Sequence, residues 1–301
     1  MHLKMLLPVV VATCLGAGPT LAQELTGTLK KIKETGAIAL GHRESSVPFS
    51  YYDDRQQVVG YAMDLCARIV DRVKSELKLA KLDTKLNPVT SATRIPLMAN
   101  GTIDLECGST TNNLERQKQV SFTITHFVTA NRFVSKKSAN LQTVDDLKGK
   151  TVVSTSGTTN IKQITEIGAQ KGLNLNILAA KDHAEAFLMV ETGRAAAFVM
   201  DDILLASLVA SSKSPKDYAI SSDALSVEPY GIMLRRDDPS FKKVVDEAMI
   251  ATYRSGAINP IYETWFLKPI PPKGINLSVP ISEAFKKVIA SPTDSGDPAV
   301  Y

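Results

Sequence analysis

The stretch THFVTANRFVSKK, residues 125–137, decides how the chain is to be folded. It is one long extended segment joining a unit that precedes it to a unit that follows it. A second extended stretch, ALSVEPYGIMLRRDD at 224–238, leads away from the later unit. If the helices after it pack back on the first unit, the later unit is an insertion between two crossing strands. Such a pair of strands makes a hinge, and hinge closure around a ligand is a recurrent motion of two-lobed proteins.

Both units alternate strand and helix. In the first, Leu25, Leu29 and Ile32 at helical spacing with Gly36 as a stop make a short helix, and AIALGHR (37–43) reads as a buried strand. VPFSYYDDRQQVVGY reads as a hairpin about the polar turn Asp53–Gln57. Leu65, Ile69, Val73 and Leu77 share one face of a helix from about Met63 to Leu79, and strands at TKLNPV and IDLE bracket a helix holding Ile95, Leu97 and Met98. The second unit repeats the pattern from KTVVSTSG to DDILLASLVA. This βαβ grammar predicts largely parallel sheets. The segments 96–109 and 187–202 echo one another, each running helix, glycine, strand and polar cluster. The expected organisation is a first lobe from 23–128 and 229–282, a second lobe over 129–228, and a C-terminal tail at 283–301 with little structure at its end.

The 301 residues suffice for two lobes, since single cores tend to split beyond ~250–300 residues. Composition is that of an ordinary globular protein, and a net charge of +4 spread along the chain gives no footprint for nucleic acid. Residues 1–22, with the apolar run MLLPVVVATCLGAG followed by small residues, read as a signal peptide cleaved near Ala22. The mature chain is then expected outside the cytoplasm. Cys66 and Cys107 remain after it. Their even number permits a bridge in an oxidising compartment, but spacing alone cannot bring their Cα atoms into range, so the favoured reading is two buried thiols.

Ligands of open parallel sheets bind beyond the carboxyl ends of the strands. Those ends carry Arg43, then Ser91 and Arg94, then Ser109, Thr111 and Arg116 in ECGSTTNNLERQ. The second unit adds Thr159, His183, Asp201 and Asp202. Arginine offers a planar donor fork to carboxylates. One arginine with hydroxyls could hold one carboxylate, an aspartate could hold an ammonium group, and the other arginines a second carboxylate. That set describes an acidic amino acid. Each residue also has an ordinary alternative. Arg43 could pair on the surface, His183 could be a satisfied N-cap, and Asp201 could cap the helix after it; clustering at strand ends favours the joint reading. GKT at 149–151 is not a P-loop, because Val144 stands where the first glycine is required. No zinc spacing, nucleophile elbow or supported triad appears, so neither metal, cofactor nor catalytic residue is expected.

The blocks GHRESSVPFSYYD, RIPLMANGTIDLECGSTTNNLERQKQ, SGTT, AKDH, FVMDD, MLRRDDPSFKK and KPIPPKGINL resemble the periplasmic amino-acid-binding proteins of ABC importers, in their acidic-ligand branch. The resemblance spans nearly the whole mature chain. It implies a two-lobed periplasmic-binding-protein fold, two α/β domains joined by two hinge strands, in a monomer that captures L-glutamate or L-aspartate and delivers it to an inner-membrane ABC permease. It also implies roles. Arg116 with Ser109 and Thr111 would hold the α-carboxylate, with a contact from Thr159. Asp201 would take the ammonium, and Arg43, Ser91, Arg94 and His183 would surround the side-chain carboxylate. The family pairing of Cys107 points to the stretch matching YGIML, where this chain has Ile232. An enzyme on the same scaffold, such as a cyclohexadienyl or arogenate-type dehydratase, is the alternative. It would need a free acid, for which Glu44 and Asp202 are the candidates. A sensory binding protein is a further alternative.

Overall fold

A computed structural model describes residues 25–301, so the proposed signal peptide lies outside the described residues. The chain forms two α/β lobes, each around its own sheet. In the first sheet the strand Ala37–His42 is buried throughout and pairs in parallel with Asp83–Pro88 on one side and Leu105–Cys107 on the other. Parallel neighbours need crossovers, here the helices Tyr61–Glu76 and Arg94–Ala99. The first of these buries Leu65, Ile69 and Val73, its i, i+4 stripe. It starts two residues before the expected point because Gly60, at φ 141°, lets the chain double back on the hairpin. A Cβ there would lie 2.2 Å from the Phe49 carbonyl oxygen. The hairpin itself forms as expected, with Tyr51 opposite Val59, and Asp53 accepts from the backbone N–H groups of Arg55 and Gln57 across its turn.

The second sheet is ordered Asn176–Ala180, Thr151–Thr155, Ala197–Asp201, Phe127–Lys136 and Tyr218–Ile220. Its first three strands run parallel and Phe127–Lys136 runs against them. Ser226–Tyr230 also pairs antiparallel with Phe127–Lys136, from Ser226 opposite Asn131 to Tyr230 opposite Phe127. These are the two extended segments from which the fold was read. The echoed segments end in central strands of their respective sheets, Leu105–Cys107 and Ala197–Asp201.

After the second crossing the chain returns to the first lobe. The helix Pro239–Arg254 lies along Tyr61–Glu76, tied by an Arg72–Glu247 hydrogen bond of 2.8 Å. Phe266 stacks on Phe127 at 5.0 Å, and Phe49 meets Phe127, Tyr230 and Phe266 edge-on. The crossing strands are therefore rooted in an aromatic cluster of the first lobe. Tyr61 and Tyr253 donate to the carbonyls of His126 and Thr125, pinning the backbone where the first crossing begins.

Two expectations are corrected. The cysteines are bridged, Cys66 to Cys107, with Cα atoms 6.2 Å apart. The helix Tyr61–Glu76 packs on the strand Leu105–Cys107, a juxtaposition that sequence spacing does not reveal. Ile232 sits buried where the family's other partner for Cys107 was sought. The tail also has structure. Ser282 caps the helix Glu283–Ala290, and the chain beyond it is hydrogen-bonded to Thr125 and Asn112 of the first lobe.

Candidate functional site

The carboxyl ends of both sheets face one narrow cavity with a free volume of about 10 Å³. That is room for no more than one water molecule, so the lobes must part to admit a larger ligand. Ser91, Arg94, Ser109, Thr111, Thr159, His183 and Asp201 line it. Arg43 and Arg116 stand outside that lining, buried beside it.

Arg43 follows the strand Ala37–His42, is 2 % exposed and forms no surface ion pair; its Nη1 has no partner. Burial pulls its pKa down to about 10, with the neighbouring Arg94 adding to the effect. Arg94 opens the helix Arg94–Ala99 and donates to Thr110 Oγ1 at 2.5 Å, while its Nε is unpartnered. Arg116 is likewise buried, and desolvation together with Arg94 draws it down to about 9. It donates to the Thr111 carbonyl at 2.8 Å and, across the cleft, to the Gly157 carbonyl at 3.2 Å. A guanidinium has five N–H groups, so donors remain after these two bonds. The turn of Arg116 is held by Asn113, which accepts from its backbone N–H at 2.8 Å; neither Thr111 nor Asn112 caps it.

His183 begins the helix His183–Glu191, but Asp182 caps that helix by accepting from Glu185 N–H. The imidazole is thereby free for the cavity. Its Nδ1 is 2.8 Å from Thr155 Oγ1, and its buried Nε2 has no partner. Burial, then Arg43 and Arg94, push its pKa well below the usual histidine value, so the ring is neutral. Two arginines already supply positive charge, and a third cation is disfavoured beside them.

Asp201 stands at the N-cap position of the helix Asp202–Ser211 yet makes no cap bond. Asn160 donates to its Oδ1 at 2.7 Å and Tyr230 to its Oδ2. Desolvation, then the charge of Glu228, raises its pKa to about 7. The Thr159 hydroxyl is spent on Glu228 at 3.0 Å, which leaves its position at the start of the helix Thr159–Gln170 rather than its side chain to face a ligand. Ser91 Oγ and Ser109 Oγ are buried without partners.

Sequence reasoning passed over two buried carboxylates. Glu106 lies behind Arg94, accepts from Thr110, and has an unpartnered Oε1 3.9 Å from Arg94 Nη1. Glu228, on the returning hinge strand, accepts from Thr159, Gln163 and Ser226. Both fall inside extended stretches, where strand alternation gives no sign that a charge points inward. Asn160, Met200 and Leu204 also line the cavity. Of the acids considered for an enzyme, Glu44 is exposed and Asp202 is held by Thr129 and Arg132. Among the described residues no group of three potential ligands could hold a metal ion.

Two hinged α/β lobes closing over a polar cavity define a solute receptor, and the chain belongs to the bacterial extracellular solute-binding proteins, family 3, whose model matches residues 38–268. Among its relatives, the L-glutamate/L-aspartate-binding protein of Pseudomonas aeruginosa is 53% identical over 290 residues, 96% of each chain. The glutamate/aspartate import solute-binding protein of Escherichia coli is 44% identical, covering 98% of this chain and 99% of the relative. An ancestral arginine-binding protein solved with arginine superimposes with a TM-score of 0.69 at 26% identity, over 77% of this chain and 98% of that one. Holo ArgBP from T. maritima gives 0.67 at 27%, over 78% and 98%.

Proposed function

We propose that this chain is a periplasmic receptor that captures L-glutamate or L-aspartate between its lobes and presents it to an ABC permease. One observation carries the reading. Arg43 Nη1, Arg94 Nε, Ser91 Oγ, Ser109 Oγ and His183 Nε2 are buried without partners in and around one cavity that also holds Asp201. Buried polar groups are ordinarily satisfied, and leaving one unpaired costs ~1–3 kcal/mol. A ligand with two carboxylates and one ammonium supplies the missing partners.

In this reading Arg116, Ser109 and Thr111 take the α-carboxylate, with the helix start at Thr159 beside it. Asp201 takes the ammonium. Arg43, Ser91, Arg94 and neutral His183 surround the side-chain carboxylate. The names of the P. aeruginosa and E. coli relatives support the ligand class. The lobes then divide at 128/129 and 228/229, and residues 1–22 are the export signal. The cavity is completed within one chain, which supports a monomer. Asp201 is the one carboxylate lining the cavity among the described residues. Once it pairs with ammonium, no acid on that lining is left for catalysis, which favours a receptor over an enzyme.

A thermal-shift panel of the twenty amino acids tests the proposal. Glutamate and aspartate should raise the melting temperature while glutamine does not, since an amide cannot neutralise Arg43 and Arg94. A rise with basic amino acids, or turnover of any of them, overturns it.

A further inference from the structure

Residues 291–301 lie beyond the match to the family model, yet they are built into the first lobe at its ligand-facing loop. The Asp294 carbonyl accepts from Asn112 Nδ2 at 2.8 Å and from Gln117 Nε2 at 3.0 Å. Gln117 Nε2 also reaches Asn112 Oδ1 at 2.9 Å, closing a small ring of bonds. Arg116 sits inside the segment these two residues bracket. Gly296 lies flat on the same loop, where a Cβ would stand 2.8 Å from the Asn113 carbonyl carbon and the Leu114 nitrogen.

The same tail grips the start of the first hinge strand. Thr125 N–H donates to the Thr293 carbonyl at 2.8 Å, and the Tyr301 hydroxyl lies 2.7 Å from Thr125 Oγ1 while donating to the Ser295 carbonyl. Lys242 secures Asp294 from the other side at 2.8 Å. The tail thus ties together the loop that carries Arg116 and the point where the chain leaves the first lobe.

We infer that residues 291–301 are a positioning strap: they order the 111–117 loop so that Arg116 is already set for a ligand carboxylate before the lobes close. The ligand part of this inference rests on the function proposed above. An ordered loop spares the complex the entropic cost of fixing it on binding, which is how pre-organisation raises affinity. Asn112 and Gln117 act only through the loop and need not touch the ligand.

Two variants test the strap, a chain ending at Ser291 and full-length Gly296→Ala, which keeps every tail hydrogen-bonding group but pushes backbone against backbone. In ligand-free protein, amide hydrogen exchange over 111–117 should rise in both, while the helix Tyr61–Glu76 keeps its protection. Glutamate Kd should rise roughly two- to tenfold through faster dissociation. Isoglutamine, the α-amide of glutamate, should lose less, because it lacks the charge that Arg116 meets. Unchanged exchange over 111–117 in folded variants, or unchanged glutamate affinity, overturns the strap. Should the truncated chain fail to fold, Gly296→Ala decides alone. Should the unmodified protein not bind glutamate, the ligand reading falls, and the exchange result still decides the strap.

Discussion

Gly157 of the second lobe meets Ala92 of the first backbone to backbone: a Cβ on Gly157 would lie 2.5 Å from Ala92 Cα and 2.7 Å from the Ser91 carbonyl oxygen. At φ 76° Gly157 also holds a conformation that L side chains rarely adopt. Its carbonyl receives Arg116 from the opposite lobe. This turn is where the two lobes touch over the cavity, and its lack of a side chain sets how far they close.

Gly157→Ala should therefore weaken ligand binding. Overpacking of close contacts costs ~1–3 kcal/mol, which corresponds to a Kd about five- to 150-fold higher. Calorimetry with glutamate reads the loss, and small-angle scattering with saturating ligand should show a more open envelope. Wild-type affinity and closure would refute a steric role for this glycine. The rim pair Glu115–Lys162 also spans the cleft, but both groups are exposed. Removing it should leave glutamate affinity nearly unchanged, because solvent screens an exposed pair.

Arg116→Ala strands a ligand carboxylate in a buried site. Breaking a buried pair costs ~3–5 kcal/mol, so glutamate affinity should fall by a factor of about 150 or more in titration calorimetry. Unchanged affinity would remove Arg116 from the site.

Asp201 makes binding depend on pH. Its folded pKa is raised from 3.8 to about 7, so the ligand-free fold holds a proton that the unfolded chain releases near 4. Stability from this group is fully present below pH 4 and is lost as pH rises through about 7. An ammonium ligand requires the ionised form, so binding below pH 7 expels that proton. Glutamate affinity should fall as pH drops, approaching about tenfold per unit below pH 6. Burial beside Arg43 and Arg94 lowers the His183 pKa, which disfavours an opposing proton there. Proton release shows as a dependence of binding enthalpy on buffer ionisation heat, and Asp201→Asn should abolish both that signal and most of the affinity.

The Cys66–Cys107 bridge closes a separation of 41 residues. Chain-entropy arguments give about 4 kcal/mol for a loop of that size, with measured bridges usually contributing ~2–4 kcal/mol. A Cys66→Ser/Cys107→Ser double variant should lose that much in urea denaturation while still binding glutamate, because neither sulfur lines the cavity.

Much of this architecture was legible in residue order because periodicity and strand ends are local signals. The paired crossings at 125–137 and 224–238 and the polar cluster of Ser109 and Thr111 sit where alternation and turn chemistry placed them. What was hidden depends on packing between distant segments. Cys66 meets Cys107 only once a helix lies on a strand. Glu106 and Glu228 read as ordinary strand residues until their neighbours are known. His183 looked chargeable because its burial beside two arginines has no local signature. The tail looked loose because Pro, Ser and Asp form few regular elements, yet its carbonyls find side chains nearly two hundred residues earlier.

The unpartnered donors around the cavity bear on what an empty receptor can tell its surroundings. Trapped water could bond to Arg43, Arg94 and His183, but it could not neutralise the guanidinium charges. Glu106 offsets only part of the charge of three buried arginines, so shutting the lobes without a counter-ion seals excess positive charge away from solvent, while shutting them on a dicarboxylate does not. The closed outline becomes a message that is costly to counterfeit. A partner that inspects only the outer shape, and never the cavity, would still learn whether cargo is inside.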